Sequence, residues 1–245
     1  MDITHLTLVC AAVAVVAFLY SSVGHGGASG YIATLTLSGF AVSAIKPLAL
    51  VLNCLVACIG AVQFWRAGFF SWRLFWPFAL LSVPAAFLGG AMHVRADVFK
   101  TLVGAVLLFS AARFFFKQAE PSKVSPPPLP VALGTGAGIG LLSGLTGTGG
   151  GIFLTPLLLL RSWARTKQAA SVSALFILVN SIAGLAGYLA SRQSMPPVAG
   201  AMAASAVCGG VFGAHFGSRR FPVRVMQRLL AIVLVLAGFK LILTK

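Results

Sequence analysis

The sequence predicts an all-α polytopic membrane protein, with about seven to eight transmembrane helices in two homologous repeats, each holding a broken or re-entrant glycine-rich helix. Three observations predict it. Hydrophobic residues make up 59% of the 245 residues and charged residues 9%, against about 25% charged in a soluble domain, so there is too little charge to clothe a water-facing surface. The apolar runs are long and do not alternate, which sets them apart from the strands of a membrane barrel. Finally, a stretch rich in glycine and small hydroxyl residues, Ser21 to Gly30 (Ser-Ser-Val-Gly-His-Gly-Gly-Ala-Ser-Gly), returns in altered form as Ser143 to Gly151 (Ser-Gly-Leu-Thr-Gly-Thr-Gly-Gly-Gly). Gly24, Gly26 and Gly27 align on Gly147, Gly149 and Gly150 at one offset of 123 residues, close to half the chain.

Taken in order, Ile3 to Tyr20 is an apolar run of about 18 residues, just long enough to span. It lacks the positive leader of a signal peptide, so it reads as the first membrane helix. It runs into the first glycine segment, and Tyr31 to Phe40 follows, too short to cross alone. Ala44 to Trp65 is the next helix, with Lys46-Pro47 suited to its first turn. Trp65 and Trp72 bracket a short loop as interface anchors. Leu74 to Met92 carries Pro84 as a kink and Gly89-Gly90 for close packing, and Val98 to Phe116 is a fourth helix. The domains are 1–117 as the first repeat, 118–130 as a proline-rich, semi-rigid linker and 131–245 as the second repeat. There, Val131 to Leu142 precedes the glycine segment, Ile152 to Leu160 follows it, and helices are expected over Ala169–Ala190, Pro196–Gly217 and Val223–Leu243. Asn53 and Gly60 recur as Asn180 and Gly187 with the same spacing, at an offset of 127, as if residues had been gained around Arg161 to Lys167. If each glycine unit crosses the membrane the repeats are parallel; if it is re-entrant they are inverted, a common transporter plan. The loop charges differ too little to orient the chain by the positive-inside rule.

The net charge of +15 comes from 18 Lys and Arg against three acids. The bases sit singly or in small clusters between apolar runs, as flanks of membrane helices do, which argues against nucleic acid as a partner; the lipid bilayer is the expected one. Asp2, Asp97 and Glu120 lie at a terminus, a helix start and the linker. No carboxylate stands deep in an apolar run, so a carboxylate proton relay or cation site has no candidates, and an anion suits the interior better. Cys10, Cys54, Cys58 and Cys208 show no CxxC spacing and read as buried thiols. No metal site, cofactor or catalytic set is expected: there is no Ser-His-Asp arrangement, no HExxH and no paired carboxylates. The second glycine run lacks the lysine of a phosphate-binding loop.

A helix broken inside a membrane exposes backbone N–H groups at a helix start, where they and the dipole attract anions. Glycine lets a ligand approach that backbone, and consecutive amides form an anion-binding concavity. The candidate substrate-binding residues are therefore Ser21, Ser22, Gly24, His25, Gly26, Gly27 and Ser29 in the first segment and Thr146, Gly147, Thr148, Gly149, Gly150 and Gly151 in the second. Asn53 and Asn180 join them as buried amides that contact substrate or tie helices together. His25 breaks the pairing, since Thr148 takes its place; it is either a proton-sensitive donor or a structural hydrogen-bonding group. Lys46 and Lys167 follow the short helices and either attract anions at an entrance or snorkel.

The two Gly-x-Gly-Gly segments, Gly24 to Gly27 and Gly147 to Gly150, each opening a half of about four spans, resemble the sulfite exporter TauE/SafE family, also called the 4-toluenesulfonate uptake permease family. The resemblance covers nearly the whole chain. Gly144 to Gly151 followed by Pro156 is close to the family pattern, and the first segment, with His25 and Ala28, is a looser match. The resemblance implies a multi-pass transporter of the bacterial inner membrane that handles small sulfur-containing anions such as sulfite or organosulfonates. Export is favoured by a negative-inside potential, roughly 2.3 kcal/mol per charge per 100 mV. A passive anion channel and a non-transporting assembly or sensor protein are the alternatives, and a homodimer is an assembly the sequence leaves open.

Overall fold

The computed structural model describes residues 3–22, 24–92, 95–115, 124–191 and 196–217, with 235 and 239. Among these residues the chain is helical, with no strand. The helices are α1 (Ile3–Ser22), α2 (Ala28–Leu37), α3 (Val42–Arg66), α4 (Trp72–Ala91), α5 (Ala96–Phe115), α6 (Leu129–Thr146), α7 (Gly151–Leu160), α8 (Thr166–Ala190) and α9 (Ala199–Gly217). Six of them (α1, α3, α4, α6, α8 and α9) are long and apolar enough to cross a membrane; a 20-residue helix is about 30 Å long, the thickness of the hydrocarbon layer. The expected count of seven to eight includes α5, which carries Asp97, Lys100 and Arg113, and the 223–243 segment, which lies outside the described residues apart from 235 and 239. The first five residues of the described linker, 124–128, have no regular structure, and Ser125 N–H donates to Ser162 O at 3.0 Å.

The expected glycine segments are narrower in the fold than in the sequence. α1 runs through Ser21 and Ser22, α2 begins at Ala28, and α6 continues through Ser143 to Thr146. Among the described residues of the two segments, the departures from helix are confined to 24–27 and 147–150. Small residues alone do not end a helix; left-handed backbone does, and Gly24, Gly27, Gly147, Gly149 and Gly150 have φ of +78°, +102°, +80°, +74° and +79°. An L-residue with a Cβ resists that conformation.

After the first departure the short helix doubles back. Ser29 Oγ meets Tyr20 OH at 2.7 Å, and Gly30 rests on Val16 and Tyr20, so α2 returns along α1. Gly150, at the start of α7, rests on Ile139 and Ser143 of α6. α3 and α8 form the centre and run antiparallel: Leu50 lies by Gly184, Asn53 by Ser181 and Gly60 by Ala174. Helix lengths follow one order on either side of the linker: 20, 10, 25 and 20 residues for α1 to α4, and 18, 10, 25 and 19 for α6 to α9.

Glycine contacts lock the outer helices on. Gly136, Gly140 and Gly144 of α6 press on the carbonyls of Phe78, Ser82 and Ala86 of α4, and Gly209 and Gly213 of α9 press on those of Ala14 and Phe18 of α1. Each pair runs parallel, at the small-xxx-small spacing that lets membrane helices approach closely. Gly134 and Gly138, also in α6, face open space. A valine at Gly140 would drive its Cβ into Ser82 O, and overpacking of this kind costs about 1–3 kcal/mol or more. Gly140→Val should therefore lower the apparent melting temperature of the purified protein markedly, with Gly134→Val close to native; equal melting temperatures would refute the close contact.

Candidate functional site

Both glycine turns converge on one place, the middle of α3 and α8. Gly26 lies against Asn53 and Ile177, and Gly149 lies against Asn53, Ile177 and Ser181. Asn53, 1% exposed, is shared between them. Its Oδ1 accepts from Ala28 N–H, the first residue of α2, at 3.2 Å, and its Nδ2 donates to Ser181 Oγ at 2.8 Å. One side chain thus caps the helix start behind the first turn and touches the second turn and α8. A buried amide with both ends engaged in this way fixes the position of the elements it joins.

At the first turn, Gly24 lies beside Phe64 and Ala170, and Tyr31 OH donates to Gly26 O at 3.1 Å. His25 is half-buried, with its N–H donating to Tyr20 O at 2.9 Å. Several expected hydroxyl donors are engaged with the protein. Ser21 Oγ donates to Gly210 O at 2.8 Å, Ser22 Oγ to Leu19 O at 2.7 Å, and Ser29 Oγ is paired with Tyr20 OH. At the second turn, Thr146 Oγ1 donates to Leu142 O at 2.7 Å and lies 3.0 Å from Thr148 Oγ1. Gly147 N–H donates to Ser143 O. Gly150 O accepts from Phe153 and Leu154 N–H, and Gly151 packs on Ile177. The N–H groups of Gly151 and Ile152 belong to the opening turn of α7, which has no preceding helical carbonyls to bond.

The structure therefore brings Gly26, Asn53, Gly149 and Gly151 together around Ile177, with Ser181 beside Gly149 and Asn53, while Gly27 packs on Tyr31. It leaves Asn180 apart from that centre in its bonding: its Nδ2 donates to Phe176 O in its own helix at 2.8 Å, and its Oδ1 has no partner among the described residues. The sequence pairing of Asn53 with Asn180 also differs from the fold. α3 and α8 start and end 124 residues apart, at 42 and 166 and at 66 and 190. By those bounds the position matching Asn53 is Ile177, and Gly26 and Gly149 each touch both of these residues. One added residue enters between α7 and α8, where the offset rises from 123 to 124, and the three that bring it to 127 enter after α8, since α4 and α9 start at 72 and 199.

Sequence reasoning missed Ser181, Ile177, Tyr20 and Tyr31. The tyrosines had a signal, since they flank the first segment directly, and Ser181 adjoins Asn180. It also misplaced Lys46. That residue lies inside α3, is 7% exposed, and donates from Nζ to Gly89 O at 3.1 Å and Gly90 O at 2.8 Å. It does not snorkel, and its ammonium is held inside the bundle. Lys167, by contrast, is exposed and stands over the Phe69 ring at 4.9 Å. The four cysteines are free thiols, with Cys58 and Cys208 exposed rather than buried.

Apolar helices of spanning length, enclosing a buried polar centre at two helix interruptions, are the architecture of a multi-pass membrane protein. The sulfite exporter TauE/SafE family model matches residues 9–241. The chain is 41% identical over 233 residues to a probable membrane transporter protein, y4hK, of Sinorhizobium fredii, covering 93% of this chain and 94% of that protein. No solved structure matches. The chain belongs to the sulfite exporter TauE/SafE family and is a membrane transporter of that family.

Proposed function

We propose that the protein is a secondary transporter of small sulfur-containing oxyanions, such as sulfite or organosulfonates, acting as an exporter in the bacterial inner membrane. The anion binds between the two glycine turns. The observation that carries this reading is the meeting of Gly26 and Gly149 on one residue, Asn53, halfway along the two central helices. There, backbone amides at helix starts present donors to an anion, and the lipid around the bundle makes an unpaired negative charge costly anywhere else. The family description supplies the substrate class and the direction.

The two halves are inverted repeats, and each glycine unit is re-entrant. This reading is supported by the equal order of helix lengths, by α2 returning along α1, and by the antiparallel course of the matched helices α3 and α8. A twofold axis in the membrane plane then passes by Asn53 and Ile177. In such transporters the halves rock about a central site and expose it alternately to each side.

The test is counterflow of sulfite in proteoliposomes. The native protein should show saturable uptake of labelled sulfite driven by unlabelled sulfite inside. Conductance without saturation would make it a channel, and no flux of sulfite or any sulfonate would refute the substrate class.

A further inference from the structure

The site described above leaves one buried cation unused. Lys46 lies in the first turns of α3, and its ammonium points at the end of α4: Gly89 O at 3.1 Å, Gly90 O at 2.8 Å and Met92 O at 3.4 Å, with the Tyr188 ring centroid 5.9 Å away. Among the described residues it pairs with no carboxylate. Carbonyls at a helix end carry only a partial negative charge, so the ammonium is incompletely neutralised, which is costly for a cation enclosed in a membrane protein.

The stem of the same lysine runs beside the second glycine turn. A methyl group added at Gly147 would stand 3.1 Å from Lys46 O, 3.5 Å from its Cα and 3.6 Å from its Cγ. The first glycine turn has no such neighbour. Beside Gly24 the matching position, 124 residues on, is Ala170. One turn therefore has a lysine at its side and the other has a methyl group.

We infer that Lys46 is the charge partner of the transported oxyanion: its ammonium rests on the end of α4 while the site is empty and turns to the anion held at Gly147 to Gly151 when the site fills. This rests on the oxyanion reading given above. A lysine suits the task because its flexible stem carries three rotatable donors, where an arginine fork is stiffer. The turn also has a mechanical result. It releases the last carbonyls of α4 from α3, so arrival of the anion loosens the tie between two helices of one half. The second half, with Ala170, has no equivalent tie, and binding would free one face of the transporter before the other.

The experiment is thermal stability of the purified protein titrated with sulfite and with methanesulfonate, since a ligand of the native state raises the apparent melting temperature. Lys46→Gln keeps N–H donors for the α4 carbonyls but removes the charge. Its sulfite Kd should rise about tenfold or more, and Lys46→Arg should bind more tightly than Lys46→Gln. A residue that only caps α4 would change the melting temperature and leave Kd alone, so a Gln variant with native Kd overturns the inference. Should the Gln variant fail to insert, labelling of Lys46 in the native protein by a small amine reagent decides the matter: sulfite should change its labelling several-fold, and unchanged labelling overturns the role. If neither anion stabilises the native protein, the oxyanion reading itself fails and the role of Lys46 falls with it.

Discussion

Gly149→Leu is expected to abolish sulfite flux while leaving a protein that inserts and purifies. Two effects combine at this position. The backbone φ of +74° costs a residue with a Cβ about 1–2 kcal/mol. The new side chain must also enter the space held by Asn53 Nδ2, Ile177 and Ser181, which pushes the two glycine turns apart where they share Asn53. A shift of about 1 Å in positioned groups costs on the order of 100-fold in rate in enzymes, and transport through this site should fall at least that far. Gly138→Leu is the control, because that glycine is exposed with open space around it. The check is proteoliposome counterflow, normalised to inserted protein. Native flux in Gly149→Leu would remove the second turn from the transport site.

Asn53→Asp should be equally damaging by a different route. The carboxylate keeps an acceptor for Ala28 N–H and can accept from the Ser181 hydroxyl, so both ties survive. What changes is charge. A negative group about 4 Å from an anion, at an effective dielectric near 20, repels it by about 4 kcal/mol, roughly a factor of 1,000 in affinity. Sulfite should then neither stabilise the variant nor be carried by it, and the buried, unpaired carboxylate lowers the melting temperature of the ligand-free protein. Asn53→Leu adds no charge but leaves Ala28 N–H buried without an acceptor, at about 1–3 kcal/mol, and lowers that melting temperature too. Sulfite counterflow at the native rate in Asn53→Asp would place the anion elsewhere.

Much of the fold could be read in the chain because lipid leaves few choices. Apolar runs must be helices, and the expected Ala44–Trp65, Leu74–Met92 and Val98–Phe116 lie within two residues of α3, α4 and α5 at each end. The glycine segments were legible as interruptions, but not their width, because Ser21, Ser22 and Gly144 are compatible with helix and only φ separates them from Gly24 or Gly147. The partners were harder to read. Of the four alternate glycines from 134 to 140, two face α4 and two face outward, and which pair does so depends on where a neighbouring helix packs. Asn53 and Asn180 share a sequence spacing with Gly60 and Gly187, yet the helices align at another register, because a loop insertion shifts numbers without shifting the bundle. Lys46 looked like a flank because charged residues beside a short helix usually are; only the end of α4 folding against it shows otherwise.

Most of the glycines that let α6 and α9 close on their partners belong to those two helices, and the carbonyls they press on belong to α4 and α1; Gly89 of α4, on Leu141 O, is the exception. This division has a consequence for biogenesis. As the chain leaves the ribosome, α1 and α4 enter the bilayer first, each with a face shaped for a helix not yet made. They must wait in lipid through synthesis of the linker and, for α1, nearly all of the second half. The early segments are therefore placed before they are packed, and the late ones arrive already shaped to dock. The order of synthesis makes the later half the one that completes the molecule.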